Sequence, residues 1–427
     1  MHVSRLVVLS SASFLLFVSL SGCGDDDGGS PSGSAAQAGS GGTGTGGTAG
    51  TGGGGGVAGT AGTGGIGGAG GSGGSGGTGG TGAGGTAGTG ASGGSGGASG
   101  SAGSAGVAGA AGSSGSGGGP TCTLVDSGPV EASTDGQVIE NLRITSTSGP
   151  AIRVAGRSNV VIRNVQILHS GGSGIEVSDA PDTTIEHVSV EHTGAPASGE
   201  NPSDSLLNIS CYASSRIKVA HARLTRGSSG VYLHQCPDSV LQFLEGHDFR
   251  GPFPRGQLVQ WNASDQGLLE DFSVENPPGS WPEDNVNVYK SMNATIRRGL
   301  VDGNNSPSGV GVIFDGDTST GLVEDVDAIR MGNGCFSNYA GAEGNVFRRT
   351  RCRENICEDQ GRGLPGSNAL MWAGRPGLSH IRLEDSQYFA ACNPGNIVWP
   401  QDSFEVVEVT EQDFALRAPI RVDLCWE

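Results

Sequence analysis

Apolar and polar residues alternate along most of the chain after residue 148, in short segments of similar length. Segments of two kinds follow one another. The first kind begins at a glycine or another small residue, as in "SGIEVSDA" from Ser173, and the second follows directly, as in "TTIEHVSV" from Thr183. Alternation with a period of two is typical of β-strands, and the Gly, Asn, Asp, Pro and Ser residues between segments favour turns. The pattern therefore predicts repeated pairs of β-strands and almost no helix.

The strand pair recurs with a unit of roughly 22–28 residues, which is typical of a solenoid whose coils stack their inward-facing residues. Segments of the first kind begin near residues 149, 173, 205, 229, 256, 284, 308, 367 and 395. The predicted inward pairs include Ile152 and Val154, Ile175 and Val177, Leu207 and Ile209, and Val231 and Leu233. The predicted outward row is Arg153, Glu176, Asn208, Tyr232, Gln260 and Asn287, a polar surface suited to neutral sugars. A β-sandwich or a propeller would not repeat in this register.

Units such as "GIEVSDAPDTTIEHVSV" resemble the right-handed parallel β-helix, or pectate-lyase-like, superfamily over about residues 135–402. The resemblance implies an all-β fold, a solenoid of about ten coils. The same fold carries polysaccharide lyases, glycoside hydrolases, epimerases, phage tailspikes and non-catalytic surface proteins, so it assigns no function by itself. The catalytic signatures of polygalacturonase-like hydrolases are not present in their usual order.

Residues 1–22 have the order of a secretory signal peptide, with Arg5 followed by an apolar run from Leu6 to Leu20. The run ends in "LSGC", which resembles the bacterial lipoprotein box, and this resemblance implies lipidation of Cys23. An ordinary signal peptide with a chance cysteine is the alternative. Gly24 follows the cysteine, where an Asp would favour the inner membrane. We therefore expect an exported protein, lipid-anchored to the outer membrane at its periplasmic face or at the cell surface.

Residues 23–119 hold more than half of the chain's 81 glycines, with Ser, Thr and Ala between them. Such a segment buries too little apolar area to offset its ordering entropy, so it predicts a disordered Gly/Ser/Thr/Ala-rich tether. Residues 120–402 are predicted to form the β-helix. Residues 403–427 lose the register and are predicted to cover its open end as a C-terminal cap.

The formal net charge of −18 argues against a nucleic-acid partner, because phosphate binding needs a basic face. Eight cysteines follow Cys23, and an even count in an exported protein favours disulfides over metal binding. Cys211 and Cys236 lie one coil apart, so we predict a bond between them. A reduced cysteine ladder in the core is the alternative.

Five lengthened loops precede strands of the first kind and would stack into a wall beside that sheet. They cover residues 193–204, 247–256, 276–284, 303–307 and 352–366. Such a groove suits a long ligand, although tolerated surface insertion gives the same pattern.

Polar side chains converge along this wall. The candidate catalytic residues are Asp248, Asp284, Arg255 and Lys290. The candidate substrate-binding residues are His247, Arg250, Trp281, Glu283, Tyr232 and Asn287. Paired carboxylates can hydrolyse a glycosidic bond, whereas Ca²⁺ with an Arg or Lys base would favour a lyase reaction. Turn capping and solvation are the alternatives for each residue.

Asp315 and Asp317 in "FDGD" are weak candidates for a calcium site, and a simple turn explains the motif as well. No other cofactor is indicated. Taken together, the sequence predicts a membrane-tethered β-helix that binds a polysaccharide or cell-envelope glycan. Cleavage of that glycan by a lyase or hydrolase reaction is left open. A non-catalytic surface adhesin or structural envelope module is the alternative.

Overall fold

The computed structural model describes residues 122–197, 205–251, 255–278, 280, 282–304, 309–339, 341–354, 370–373 and 380–427. These residues lie in one compact unit that spans Ser114–Glu427. Within these ranges, no helix has the length and apolar character needed to cross a membrane. The described structure consists of strands and two short 3₁₀ turns, Pro394–Asn396 and Gln401–Ser403.

The strands in chain order are β1 Val125–Ser127, β2 Val130–Glu131, β3 Val138–Ser146, β4 Ile152–Ala155, β5 Val161–His169, β6 Ile175–Ser178, β7 Thr184–His192, β8 Ile209–Tyr212, β9 Lys218–Thr225, β10 Val231–His234, β11 Val240–His247, β12 Val259–Asn262, β13 Leu268–Glu275, β14 Val286–Tyr289, β15 Ala294–Asn304, β16 Val310–Asp315, β17 Gly321–Met331, β18 Gly334–Tyr339, β19 Val346–Arg348, β20 Arg351–Arg353, β21 Met371–Ala373, β22 Ile381–Glu384, β23 Ser386–Phe389, β24 Val398–Trp399, β25 Phe404–Val406 and β26 Val409–Glu411.

The strands form two parallel sheets. The short-strand sheet has 11 strands in the order β2-β4-β6-β8-β10-β12-β14-β16-β18-β21-β24. The bent sheet has 15 strands and takes the alternate, mostly longer strands of the chain, from β1 and β3 to β25 and β26. The chain therefore crosses from one sheet to the other in every coil, which makes a right-handed parallel β-helix, as predicted. The sequence pattern missed the short strand β18, whose alternation is interrupted by Asn338.

Each long strand of the bent sheet turns sharply near its middle. Asn164 in β5 and His187 in β7 have φ angles of 52° and 51°, and the pairing of the two strands skips these residues. The left-handed region is uncommon for residues other than glycine, and Asn and His are among those enriched there. Later coils place Phe243 and Arg298 at the same bend. Every coil consequently has three faces around one core.

Stacked aliphatic side chains fill that core, as the alternation predicts. Ile152, Ile175, Ile209 and Val231 lie on adjacent strands in register, and each is at most 1% exposed. Neighbouring strands of a sheet lie about 4.8 Å apart, so each inward side chain packs on the one below it.

One coil has a register different from the predicted one. The inward residues of β8 are Ile209 and Cys211, and its outward residue in the row of Tyr232 is Ser210. The predicted pair Leu207 and Ile209 and the predicted outward Asn208 were placed two residues too early.

Asn208 shows why alternation misled here. Its side chain is fully buried at the corner before β8, where Nδ2 donates to the carbonyl oxygens of Val190 at 3.1 Å and Thr225 at 3.2 Å. A buried amide that satisfies backbone carbonyls can replace an apolar residue at a corner, and polarity alone cannot show this.

The β-helix register continues past residue 402. β25 pairs in parallel with β22, and β26 pairs with β23. Beyond Glu411 the chain turns back along the outer face of the bent sheet, and we call residues 412–427 the strap. The backbone oxygen of Phe414 accepts a hydrogen bond from Arg353 at 2.8 Å on β20, and the Val422 N–H donates one to Glu245 at 2.9 Å on β11. The strap therefore crosses many coils of the bent sheet.

The strap covers charged side chains. Asp327 is fully buried, its Oδ2 accepts a hydrogen bond from the Arg417 N–H at 2.6 Å, and Arg351 pairs with the same carboxylate at 2.6 Å. Arg223 of β9 pairs with the C-terminal residue Glu427. Buried charges of this kind are tolerated because each one is paired and hydrogen-bonded.

Three disulfide bonds join pairs of described residues. The predicted bond between Cys211 and Cys236 is present. Cys335 of β18 bonds Cys352 of β20, 17 residues further along the chain. Cys122 bonds Cys425 and so ties the start of the β-helix to the strap, 303 residues away in the chain. Cys392 is also disulfide-bonded. The predicted lipidation site Cys23 lies outside the described residues, as do the predicted signal peptide and the rest of the predicted tether.

Candidate functional site

The five lengthened loops all lie between the end of a bent-sheet strand and the start of the next short-strand-sheet strand, as predicted. One loop, for example, leaves β13 at Glu275 and enters β14 at Val286. Parts of all five loops lie outside the described residues. The parts that are described define one edge of the short-strand sheet, and we call the surface along this edge the cleft.

Buried asparagines fix the bases of these loops. Asn276 accepts a hydrogen bond from the Phe249 N–H at 2.9 Å and donates from Nδ2 to Asn285 Oδ1 at 2.6 Å. Asn304 donates from Nδ2 to the carbonyl oxygen of Glu283 at 2.9 Å. Three consecutive coils are thereby joined at the corner that leads into the cleft, and the position of Glu283 is set by the coil that follows it.

Asp284 lies at the foot of this wall, two residues before β14, and is only 3% exposed. Its Oδ1 accepts a hydrogen bond from the Val310 N–H at 3.0 Å, and its Oδ2 accepts one from Asn287 Nδ2 at 2.8 Å. Burial raises the pKa of Asp284 to about 7, because the two hydrogen bonds only partly offset desolvation and the nearby Asp315 carboxylate adds repulsion.

Glu283 precedes Asp284 and shares its environment. The Glu283 N–H donates to the carbonyl oxygen of Arg255 at 3.0 Å, which holds the residue against the preceding coil. On the other side, a Cβ at Gly309 would lie 1.1 Å from the Glu283 carbonyl oxygen, so only glycine fits there. Burial raises the pKa of Glu283 well above its usual range, and the carboxylates of Asp284 and Asp315 raise it further.

Asp315 is the third carboxyl of this group and ends β16, on the coil after Asp284. It is half-buried, and burial raises its pKa to about 6, against the opposing effects of the Gly316 N–H and the positive charge of Lys290. Lys290 follows β14, and its Nζ lies 5.0 Å from the centre of the Tyr289 ring. We call Glu283, Asp284 and Asp315 the carboxyl cluster.

Arg255 borders the carboxyl cluster from the coil before it. Its guanidinium carbon lies 4.9 Å from the centre of the Tyr232 ring, and Nη1 donates to Gln260 Oε1 at 3.4 Å. The Tyr232 hydroxyl accepts a hydrogen bond from Asn262 Nδ2 at 3.0 Å. One surface therefore carries six of the predicted site residues: the acids Glu283 and Asp284, together with Arg255, Tyr232, Asn287 and Lys290.

The other predicted residues lie at the far end of their loop, where β11 ends. His247 Nε2 lies 3.0 Å from Glu245, a residue covered by the strap. Asp248 and Arg250 form an ion pair of 2.6 Å. Burial raises the pKa of Asp248, and the positive charges of Arg250 and Arg226 oppose the shift. Trp281 lies outside the described residues.

The predicted calcium ligands have different surroundings. Asp315 belongs to the carboxyl cluster, whereas Asp317 is exposed on the turn after β16. Across the part of the chain that the structure describes, no group of three or more His, Cys, Asp or Glu side chains is arranged to hold a metal ion. A role for Ca²⁺ stays a prediction.

The sequence pattern overlooked a second outward row beside that of Tyr232. Pairing places Tyr212, His234, Asn262 and Tyr289 in register on β8, β10, β12 and β14, with Asp315 next on β16. The available signal was the alternation itself, since each of these residues lies two positions after an outward residue of the first row.

Residues 127–253 match the family model described as a right handed beta helix region. None of the curated proteins matches the chain.

Several solved structures are similar to this chain. A GH136 lacto-N-biosidase from Eubacterium ramulus aligns with a TM-score of 0.41 and 10% identity over 65% of this chain and 61% of that one. A surface adhesin of Streptococcus pneumoniae aligns with a TM-score of 0.36 and 11% identity over 69% and 74%. A hyperthermoactive exopolygalacturonase from Thermotoga maritima aligns with a TM-score of 0.39 and 10% identity over 68% and 93%. This chain thus spans less than two thirds of the lacto-N-biosidase.

Proposed function

We propose that this protein binds a polysaccharide in the cleft and hydrolyses a glycosidic bond at the carboxyl cluster. The observation that carries the proposal is the group of three carboxyls, Glu283, Asp284 and Asp315, whose pKa values are all raised by burial, with added repulsion from neighbouring acids at Glu283 and Asp284. Strongly shifted carboxyls gathered in a cleft are typical of acid–base catalytic sites.

Hydrolysis of a glycosidic bond needs one carboxylic acid and one carboxylate. Asp284, whose pKa is raised to about 7, and Glu283, whose pKa is raised well above its usual range, supply the proton that passes to the leaving glycosidic oxygen. Asp315, whose pKa is raised only to about 6 because Lys290 opposes the effect of burial, is ionised at neutral pH and takes a proton from the attacking water. The bond between the anomeric carbon and the bridging oxygen breaks, water adds to the carbon, and the two carboxyl groups exchange their protonation states.

A purely structural role explains this cluster poorly. Turn-capping carboxylates are usually solvated, whereas Asp284 is almost fully buried and pairs with no cation among the described residues. An unpaired buried carboxyl lowers stability. Retaining one is expected where catalysis requires it.

The test is release of reducing ends by the full-length purified protein from a panel of neutral and uronic polysaccharides, with and without Ca²⁺. We expect activity on at least one polymer, and losses of at least about a hundredfold in Asp284→Asn and Asp315→Asn. Asp317→Asn is the matched control, because it removes an exposed carboxyl two residues from Asp315. Product absorbance from an unsaturated sugar would indicate elimination instead of hydrolysis. Binding without release of reducing ends would support the adhesin alternative.

We also propose that the protein is exported and lipid-anchored through Cys23. The disulfides support export, because such bonds persist mainly in oxidising compartments. The "LSGC" sequence supports the anchor. Metabolic labelling with a fatty acid should label the wild-type protein but not Cys23→Ala, and equal labelling would exclude this anchor.

A further inference from the structure

One outward row of the short-strand sheet leads directly to the carboxyl cluster. Tyr212, His234, Asn262 and Tyr289 lie side by side on successive strands, and Asp315 is the next residue in the row. Because neighbouring strands are about 4.8 Å apart, these four steps cover about 19 Å. We call Tyr212, His234, Asn262 and Tyr289 the neutral row.

We propose that the neutral row binds an uncharged polysaccharide that lies along the axis of the β-helix and enters the carboxyl cluster at Asp315. The cleavage part of this inference rests on the proposed function, whereas the binding part can be tested without it.

The side chains of the neutral row suit sugar rings and hydroxyls. Tyr212 is 39% exposed, and its ring lies 6.1 Å from that of His234, so the two present an aromatic surface. Aromatic rings bury large apolar area and keep a polar edge, which matches the apolar face and hydroxyl rim of a sugar. Asn262 adds an amide. His234 and Asn262 are partly exposed, whereas Tyr289 is only 9% exposed, so the accessible part of the row runs from Tyr212 to Asn262.

The charges around the row disfavour a uronic polymer. The nearest cations, Arg255 and Lys290, face the carboxyl cluster, where they lower the pKa values of Glu283 and Asp315. At the other end of the sheet, Arg153 is paired with Glu176 at 3.3 Å. The chain also carries a formal net charge of −18, which repels a polyanion. Lys290 Nζ, which lies 5.0 Å from the centre of the Tyr289 ring, meets the row only at its Asp315 end, and none of the four residues of the row is a Lys or Arg that would compensate a line of carboxylates.

The row also indicates where the polymer is cut. Beyond Asp315 the row continues to Tyr339 on β18, and the sheet continues further to β21 and β24. The carboxyl cluster therefore lies within the sheet, with strands of that sheet on both sides of it. We expect internal cleavage that yields oligosaccharides.

The test measures binding apart from cleavage. Affinity electrophoresis of Asp284→Asn would be run in gels that contain galactomannan, xyloglucan or β-glucan, and in gels that contain polygalacturonate or alginate. We expect retardation in at least one neutral gel, and about tenfold weaker binding when Tyr212→Ala is added. Phe243→Ala is the matched control, because Phe243 is a 37% exposed aromatic on the bent sheet. If Asp284→Asn does not fold, the wild-type protein is used instead, at low temperature so that cleavage is slow during the run.

Retardation only by the uronic polymers, no retardation in any gel, or equal binding by the Tyr212→Ala and Phe243→Ala proteins would overturn the inference. Retardation by a neutral polymer that the wild-type protein does not cleave would leave this inference standing and refute the proposed hydrolysis.

Discussion

Asn287 donates a hydrogen bond of 2.8 Å to Asp284, a carboxyl that is almost fully buried and whose pKa is raised to about 7. The amide orients the carboxyl without neutralising it, since an amide carries no charge. Burial keeps the proton on this carboxyl near neutral pH, as a general acid must, and the hydrogen bond from the amide opposes that effect only in part.

We expect Asp284→Asn to abolish hydrolysis and yet to increase stability at pH 8 by about 1–3 kcal/mol. The raised pKa determines how the stability change depends on pH. A carboxyl whose folded pKa lies above its unfolded value destabilises the fold increasingly as the pH rises from about 4 to about 7. The increase in the free energy of unfolding caused by Asp284→Asn should therefore be small at pH 4 and reach its full size at pH 8, as measured by urea unfolding.

Asp248→Asn is a useful comparison for that experiment. Asp248 also has a raised pKa, but it is ion-paired with Arg250 at 2.6 Å. Removing its charge should leave Arg250 without this partner, so we expect no stabilisation. A loss of stability in Asp284→Asn would indicate a structural role for the carboxyl.

Activity should have a narrow pH optimum between about 6 and 7. Asp315 must be ionised, which requires a pH above about 6, and Asp284 must keep its proton, which it loses above about 7. Lys290→Met removes a positive charge that lowers the pKa of Asp315, so the acidic limb of kcat/KM should move up by about half a unit to one unit. Asp317→Asn should leave both limbs in place, and an unchanged acidic limb in Lys290→Met would argue against Asp315 as the base.

Glu245→Gln should loosen the strap and cost about 2–4 kcal/mol at pH 7. Burial alone would raise the pKa of Glu245, but hydrogen bonds from His247, the Val422 N–H and Arg223 lower it to about 2. This stabilisation is present above about pH 4.5 and is lost as the pH falls towards 2. The difference in the free energy of unfolding between variant and wild type, measured with urea, should therefore be large at pH 7 and much smaller at pH 3. The control Glu140→Gln, which breaks an exposed pair with Arg163, should cost less than about 1 kcal/mol.

Removing the bond between Cys122 and Cys425 should destabilise the protein by about 2–5 kcal/mol, because it closes a very long loop in the unfolded chain. In the double serine variant, hydrogen exchange should increase first in the strap, at amides such as that of Val422. KM for the polymer should not change, since the cleft lies on the other sheet. A raised KM together with unchanged hydrogen exchange in the strap would contradict the view that the strap and the cleft are separate.

The fold could be predicted because every coil repeats the same alternation, and a stacked core tolerates few departures from it. The departure at Asn208 was not predictable, since its amide replaces an apolar corner residue by bonding to backbone carbonyls. The strap was not predictable either. Its contacts join residues such as Val422 and Glu245, which lie far apart in the chain and share no periodic pattern.

Six residues of the predicted site lie on one surface in the structure. They are Glu283, Asp284, Arg255, Lys290, Asn287 and Tyr232. The sequence pattern paired Asp284 with Asp248 as the second carboxyl, whereas the acids whose charges raise pKa values in the cluster are Asp284, acting on Glu283, and Asp315, acting on both. Asp248 was chosen because its loop is adjacent to that of Asp284. Asp315 could be recognised only from the register of β14 and β16, which places it beside Tyr289.

The most direct test of the central claim is the structure of Asp284→Asn with an oligosaccharide taken from the polymer it binds most tightly. We expect sugar rings along Tyr212, His234 and Asn262, with a glycosidic oxygen within hydrogen-bond distance of Glu283 or residue 284, and a water beside Asp315. A glycan seated on the bent sheet or at the open end of the β-helix would contradict the claim.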